Sequence, residues 1–149
     1  ADDPLKASDD LWMSRYLLQL SAEPYEVGID WHPKPHDGWN GSGCHTNFST
    51  VSMREEGGQE IFVEMMNSAE LLHSKHMSQY GTLNERRMLG THETASYDKF
   101  SYGVASRGAS IRIPNSTADD EWKGYAEDRR PASNCDPYRV SECVLEYVR

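Results

Sequence analysis

Apolar residues recur at helical spacing in three stretches of this chain, and strand-like alternation falls between them. Residues 9–22 predict a helix with Ser8 as its N-cap and Leu11, Tyr16, Leu17 and Leu20 near one face; Pro24 ends it. Residues 26–31 alternate as a short strand does, and Pro33 and Pro35 mark a turn into a glycine-rich segment. The clearest helix is predicted over residues 59–80, with Ile61, Met65, Ala69, Leu72 and Met77 on one stripe that reads as a buried face. Residues 100–114 carry the β-branched and small residues of strands, broken by Gly103 and Gly108. Pro137 opens a last amphipathic helix through Val140, Cys143 and Val144. The order helix, strands, long helix, strands, helix predicts an α+β fold with an antiparallel sheet flanked by helices. No internal repeat or low-complexity linker divides it.

Composition narrows the function classes. The 149 residues suit one domain, and 37% hydrophobic with 26% charged residues is ordinary for a globular chain. A net charge of -9, with 15 basic residues scattered along the chain, argues against a nucleic-acid partner, because phosphate binding needs a basic face. Cys44, Cys135 and Cys143 are an odd number without framework spacing, which fits a reducing compartment better than a disulfide scaffold. The sequons at Asn40, Asn47 and Asn115 read as chance triplets. No apolar run has the length of a membrane helix, and the start ADDP is neither a signal nor a transit peptide. A cytoplasmic location is expected, with mitochondrial or plastid origin as the alternative because the chain begins with Ala.

The candidate chemistry sits in three polar segments: KPHDGWNGSGCHTNFS at 34–49, HETA at 92–95 and EDRRPAS at 127–133. Each holds groups that bind metals, phosphates or carboxylates. Singly they are weak. A glycine-rich turn is more often only a turn, and a lone histidine is more often a hydrogen-bonded core residue. Arginine is the expected residue for gripping carboxylate and phosphate, since its planar fork makes two parallel charge-assisted hydrogen bonds.

Taken in order and spacing, WNGSGCHTNFST, HETA, GVASRGASIRIP and YAEDRRPASNCDP resemble glutamine synthetase of the eukaryotic, short-subunit type, over residues 11–144. The resemblance implies a partial catalytic domain. Family subunits are more than twice this long, so residues 1–149 are expected to be the C-terminal part, with an N-terminal β-grasp domain and the first catalytic half absent. It also implies ATP-dependent ligation of ammonia to glutamate through a γ-glutamyl phosphate, with Mg2+ or Mn2+ accompanying ATP.

By the same resemblance, Asn40 and Gly41 lie beside the substrate glutamate, and Asn47, Phe48 and Ser49 run along the nucleotide. His45 and Glu127 are metal ligands. Glu93 is the flap carboxylate that helps deprotonate ammonium, and it joins Arg107 and Arg129 as catalytic. Arg87, Arg107 and Arg129 contact substrate and phosphoryl group, and Arg112 contacts a nucleotide phosphate. Tyr125 is either a ring near the base or a buried strand aromatic. His36 and Asn115 depart from the family pattern. So does the lack of upstream metal-binding glutamates: His45 and Glu127 cannot supply two ion sites, because an ion of this class needs about six ligands. Family active sites form between subunits, so the chain is expected to be inactive alone and to work with other protein subunits, in a homo-oligomeric ring or a larger hetero-assembly. The alternative is an inactive remnant acting as a structural subunit of a larger assembly; a nucleotide-binding regulatory remnant is a third.

Overall fold

A computed structural model describes residues 3–91 and 94–148. Helix α1 spans Pro4–Ala22, five residues earlier than the pattern predicts. Asp3 caps it, its carboxylate accepting from the Leu5 N–H at 2.8 Å, and Pro4 occupies the first turn, where a missing N–H costs nothing. The expected apolar face is not the buried one. Ser8 and Arg15 are buried, Leu11 is half-buried, and Tyr16, Leu17 and Leu20 are exposed together with Leu5, Trp12, Met13 and Leu18. Apolar residues lie around most of this helix, so periodicity singles out no face.

Polar contacts hold α1 instead. Arg15 donates to the Ser133 carbonyl at 2.7 Å and the Cys135 carbonyl at 3.0 Å. Ser8 Oγ donates to the Pro137 carbonyl at 3.1 Å. The strand predicted at 26–31 does not form: residues 27–32 run as irregular chain with no ladder partner, beyond a left-handed Glu26 at φ 54°.

Strand β1 (Thr46–Phe48) is followed by helices α2 (Val51–Glu55), α3 (Gln59–Leu71) and α4 (His73–Met77). The single long helix predicted over 59–80 is therefore two, interrupted at Leu72. The stripe survives the break: Met65, Ala69 and Met77 are buried, and Ile61 and Leu72 pack half-buried against the core. Strands β2 (Tyr102–Val104) and β3 (Ile111–Ile113), helix α5 (Asn115–Asp119), strand β4 (Ala126–Asp128) and helix α6 (Pro137–Tyr147) complete the fold.

The sheet runs β1-β4-β3-β2, and it is mixed, not antiparallel throughout. β4 pairs antiparallel with β1 and β3, but β2 lies parallel to β3. Parallel neighbours usually need a long crossover. Here three-residue strands shorten the return path; Ala105, at φ 55°, turns the chain, and reciprocal 3.2 Å bonds between Ser101 and Ser110 close the loop. Alternation along 100–114 marks strands but carries no information about direction. No helix among the described residues is long and apolar enough to cross a membrane.

Candidate functional site

Strand β4 sorts the polar residues. Side chains alternate across a sheet; along 126–130 the burial runs buried, half-buried, buried, half-buried, buried. Asp128 and Arg130 point into the core beside Ile111, while Glu127 and Arg129 share the other face. The register carries that face across the sheet: Asn47 on β1 is opposite Glu127, Glu127 is opposite Arg112 on β3, and Arg112 is opposite Gly103 on β2.

Glu127 gathers three side chains around it. Its Oε1 lies 3.2 Å from His45 Nδ1, and its Oε2 accepts from Arg112 Nη1 and Arg129 Nη1, each at 3.2 Å. Arg129 Nη1 also lies 3.4 Å from His45 Nδ1. The Glu127 and Arg129 side chains are 13% and 10% exposed, against 31% for Arg112 and 37% for His45, so the cluster opens outward through His45 and Arg112. Burial pushes the Glu127 carboxyl up, but the hydrogen bond and charge of Arg129, with His45 and Arg112, outweigh it and hold it below its ordinary value. Burial and then Arg129 lower His45, against the pull of Glu127. The imidazole is therefore neutral at pH 7. The closer carboxylate favours a proton on Nδ1, which leaves the Nε2 lone pair available.

His45 follows the glycine-rich loop, whose glycines have a packing reason. A Cβ on Gly41 would lie 2.1 Å from Arg87 Cγ; one on Gly43 would lie 2.9 Å from Arg87 Nη1 and 3.2 Å from His45 Nε2. The loop closes on Arg87, and only a missing side chain permits that approach. Arg87 is turned inward: its Nη2 donates to the carbonyls of Arg129, Arg130 and Pro131 at 3.1, 2.7 and 3.3 Å, and its Nε to Asn84 Oδ1 at 3.1 Å. Burial, then the charge of Arg129, lowers it to about 10, still cationic at neutral pH. Arg87 thus clamps the 129–131 backbone beneath the cluster.

A cleft of about 480 Å³ adjoins this face at the open edge of β1, lined by Asn47, Phe48, Ser49, Tyr125, Arg54 and Val144 among others. Four of the five residues placed at a nucleotide by resemblance converge here, and the fifth, Arg112, stands apart in the cluster. Asn47 belongs to both places. The Phe48 ring packs inward on Tyr147, centroids 5.4 Å apart, so it forms the floor. Ser49 Oγ donates to the Gly124 carbonyl at 2.6 Å, fixing the loop that carries Tyr125. Tyr125 is 39% exposed and is no buried strand aromatic.

The structure thus assembles His45, Arg112, Glu127 and Arg129 in one cluster and Asn47, Phe48, Ser49 and Tyr125 in one cleft. Asn40 is exposed at the loop's start, and Arg107 is exposed on the turn between β2 and β3. Glu93 lies outside the described residues. Asn84, which fixes Arg87 Nε and donates to the Arg130 carbonyl at 2.8 Å, and Arg54, at the cleft, were not singled out; a lone Asn or Arg carries no sequence signal of such a position.

The residues present fit a divalent ion only in part. His45 and Glu127 present one nitrogen and one carboxylate, whereas a divalent ion of the magnesium class takes about six ligands. Among the described residues no group of three or more His, Cys, Asp or Glu could hold an ion. These residues do not make a metal site by themselves.

Comparison with known proteins supplies the context. A family model described as the glutamine synthetase catalytic domain matches residues 1–147. The chloroplastic glutamine synthetase of Daucus carota is 54% identical over 143 residues, which cover 95% of this chain and 33% of that protein. The cytosolic isozyme of Pinus sylvestris is 50% identical over 143 residues, 95% of this chain and 40% of its own length. The cryo-EM structure of Plasmodium falciparum glutamine synthetase superposes with a TM-score of 0.76 at 18% identity, over 97% of this chain and 30% of that one. The chain thus spans 30–40% of the length of these three proteins. With a family model spanning nearly every residue and close sequence relatives beside it, the chain belongs to the glutamine synthetase catalytic-domain family.

Proposed function

We propose that this chain supplies the C-terminal share of a glutamine synthetase active site, which joins ammonia to glutamate with ATP through a γ-glutamyl phosphate. The observation that carries the reading is the Glu127 cluster, with two arginines and a neutral imidazole on one sheet face beside a cleft at the β1 edge.

The chemistry suits these groups. Making an amide from a carboxylate and ammonia is unfavourable in water, so the carboxylate is first phosphorylated and ammonia then displaces phosphate. Positioning and charge stabilisation supply most of such catalysis. Arg112 and Arg129 bring two guanidinium groups to one carboxylate, leaving net positive charge to hold phosphoryl oxygens. Arg112 Nε is buried and makes no hydrogen bond among the described residues, so its outer Nη groups are the ones that could reach an anion. Arg87 keeps the 129–131 backbone fixed, so Arg129 is presented in one orientation. Asn40 and Gly41 would flank the glutamate, Arg107 would join Arg129 at the reacting groups, and Glu93 would take the proton from ammonium. Tyr125 and the β1 edge would receive the nucleotide.

Mg2+ or Mn2+ with ATP is the proposed cofactor set. His45 and Glu127 would give two of its ligands and the rest would come from outside residues 1–149, so we expect this chain alone to be inactive. Partners are further protein subunits of the same or another kind, and the location is cytoplasmic or, alternatively, plastid or mitochondrial, since the relatives include cytosolic and chloroplastic isozymes. A remnant that only assembles would need the exposed apolar residues of α1 but not the Glu127 cluster; the presence of the cluster favours the enzymatic reading. The test is phosphate release by the full native polypeptide that carries this chain. It should require ATP, glutamate and ammonia together, and Tyr125→Ala should raise the KM for ATP about tenfold or more while the glutamate KM stays within about twofold. ATP binding without ammonia-dependent release would instead indicate a regulatory remnant.

A further inference from the structure

Beneath the His45 loop two cysteines stand on facing segments, and the proposed chemistry does not use them. Cys44 is half-buried on that loop, and Cys135 is buried in the turn before α6. The backbone brings them together. Cys44 N–H donates to the Pro131 carbonyl at 2.9 Å, Ser133 N–H to the Ser42 carbonyl at 3.1 Å, and Gly43 and Ala132 form an antiparallel bridge. Cys135 N–H then closes a turn on the Ala132 carbonyl at 3.1 Å and returns the chain toward Cys44. Cys44 and Cys135 thus stand one and three residues beyond the paired Gly43 and Ala132, on facing segments. Arg15 steadies Cys135 from behind, with Nη1 on its carbonyl at 3.0 Å and Nη2 4.0 Å from its sulfur. The third thiol, Cys143, is buried on α6.

We propose that Cys44 and Cys135 form a reversible disulfide that ties the His45 loop to residues 131–135 and makes this face redox-sensitive. With a peroxide as oxidant the balance is simple. Cys44 sulfur attacks one peroxide oxygen, the O–O bond breaks, water leaves and a sulfenic acid remains. Cys135 sulfur then attacks Cys44 sulfur, the S–O bond breaks and a second water leaves. Two thiols have lost two electrons and two protons to one peroxide. A dithiol reductant reverses the bond by thiol–disulfide exchange. A disulfide is about 2.05 Å long, so the sulfurs must close to that length and the loop must move with them. His45 is the next residue, and its ring already lies against Gly43.

Any effect on turnover rests on the synthetase reading, but the bond and the loop restraint do not. The experiment equilibrates the full native polypeptide across glutathione redox buffers, alkylates the remaining thiols and maps peptides. A Cys44–Cys135 crosslink is expected in the wild type and in Cys143→Ser, removed by dithiothreitol and absent from Cys44→Ser and Cys135→Ser. Amide exchange over residues 41–46 should slow about tenfold in the oxidised wild type. Both thiols remaining alkylated throughout, either pairing elsewhere, or Cys44 passing to sulfinic acid with Cys135 still reduced would overturn the disulfide. A crosslink without slower exchange would overturn the restraint. The wild-type map decides the first point even if the variants fold poorly, and neither readout needs turnover.

Discussion

The two faces of β4 carry the same chemistry in opposite settings. On the core side Asp128 meets Arg130, and on the open side Glu127 meets Arg129. Asp128 and Arg130 are fully buried and saturated. Asp128 Oδ2 accepts from Arg130 Nη2 at 2.7 Å, Tyr80 Oη at 2.9 Å and Tyr147 Oη at 3.2 Å, while Oδ1 accepts from Arg130 N–H and Nε at 3.0 and 2.9 Å. Burial alone would push this carboxyl up, but Arg130 outweighs it and holds it down. Glu127 and Arg129 have contacts at 3.2 Å and open toward solvent through their neighbours. A carboxylate and an arginine two residues apart can thus be architecture or chemistry, and a single step along the strand decides which.

That contrast can be broken from either side. The largest effect is expected from Arg130→Met, which strands Asp128 without its counter-charge in the core; breaking a buried pair costs about 3–5 kcal/mol, to be read from urea unfolding. Arg129→Ala should shift the balance: its unfolding free energy falls by about 1.5–3 kcal/mol, less than for Arg130→Met, while ammonia-dependent turnover of the full polypeptide falls about a hundredfold or more. Tyr80→Phe removes one bond to a buried carboxylate and should cost about 1.5–3 kcal/mol with turnover little changed.

Acid sharpens the comparison. Asp128 has a folded pKa below its ordinary 3.8, so its contribution is complete above that value and is lost as pH falls through the lower folded value. His45, His73 and His76 are likewise lowered, each chiefly by burial. For them the unfolded chain takes up protons first, so stability begins to decline below pH 6.5 and goes on declining toward the folded values. In a pH-dependent unfolding series His45→Gln should flatten part of that upper slope and leave the drop below 3.8 in place.

How far the sequence told these things apart depended on the kind of signal. The methionine stripe of α3 and α4 was legible because burial on a helix repeats every three to four residues. The face of α1 was not, because its contacts with residues 133–137 are made by a serine and an arginine among many apolar neighbours. Strand direction at β2 was illegible because alternation is the same either way. For the site, His45, Arg112, Glu127 and Arg129 came from motif resemblance, and register brings them together. The inward turn of Arg87 depends on carbonyls more than forty residues distant, which no local spacing encodes.

The most direct measurement is ammonia-dependent phosphate release by the full native polypeptide carrying this chain, wild type beside Glu127→Gln, with urea midpoints taken on the same samples. Turnover in the wild type, a loss of about a hundredfold or more in the variant and closely matched midpoints are the expected result. Equal turnover in both, or none in the intact wild type, would contradict the assignment of this face to glutamine synthesis.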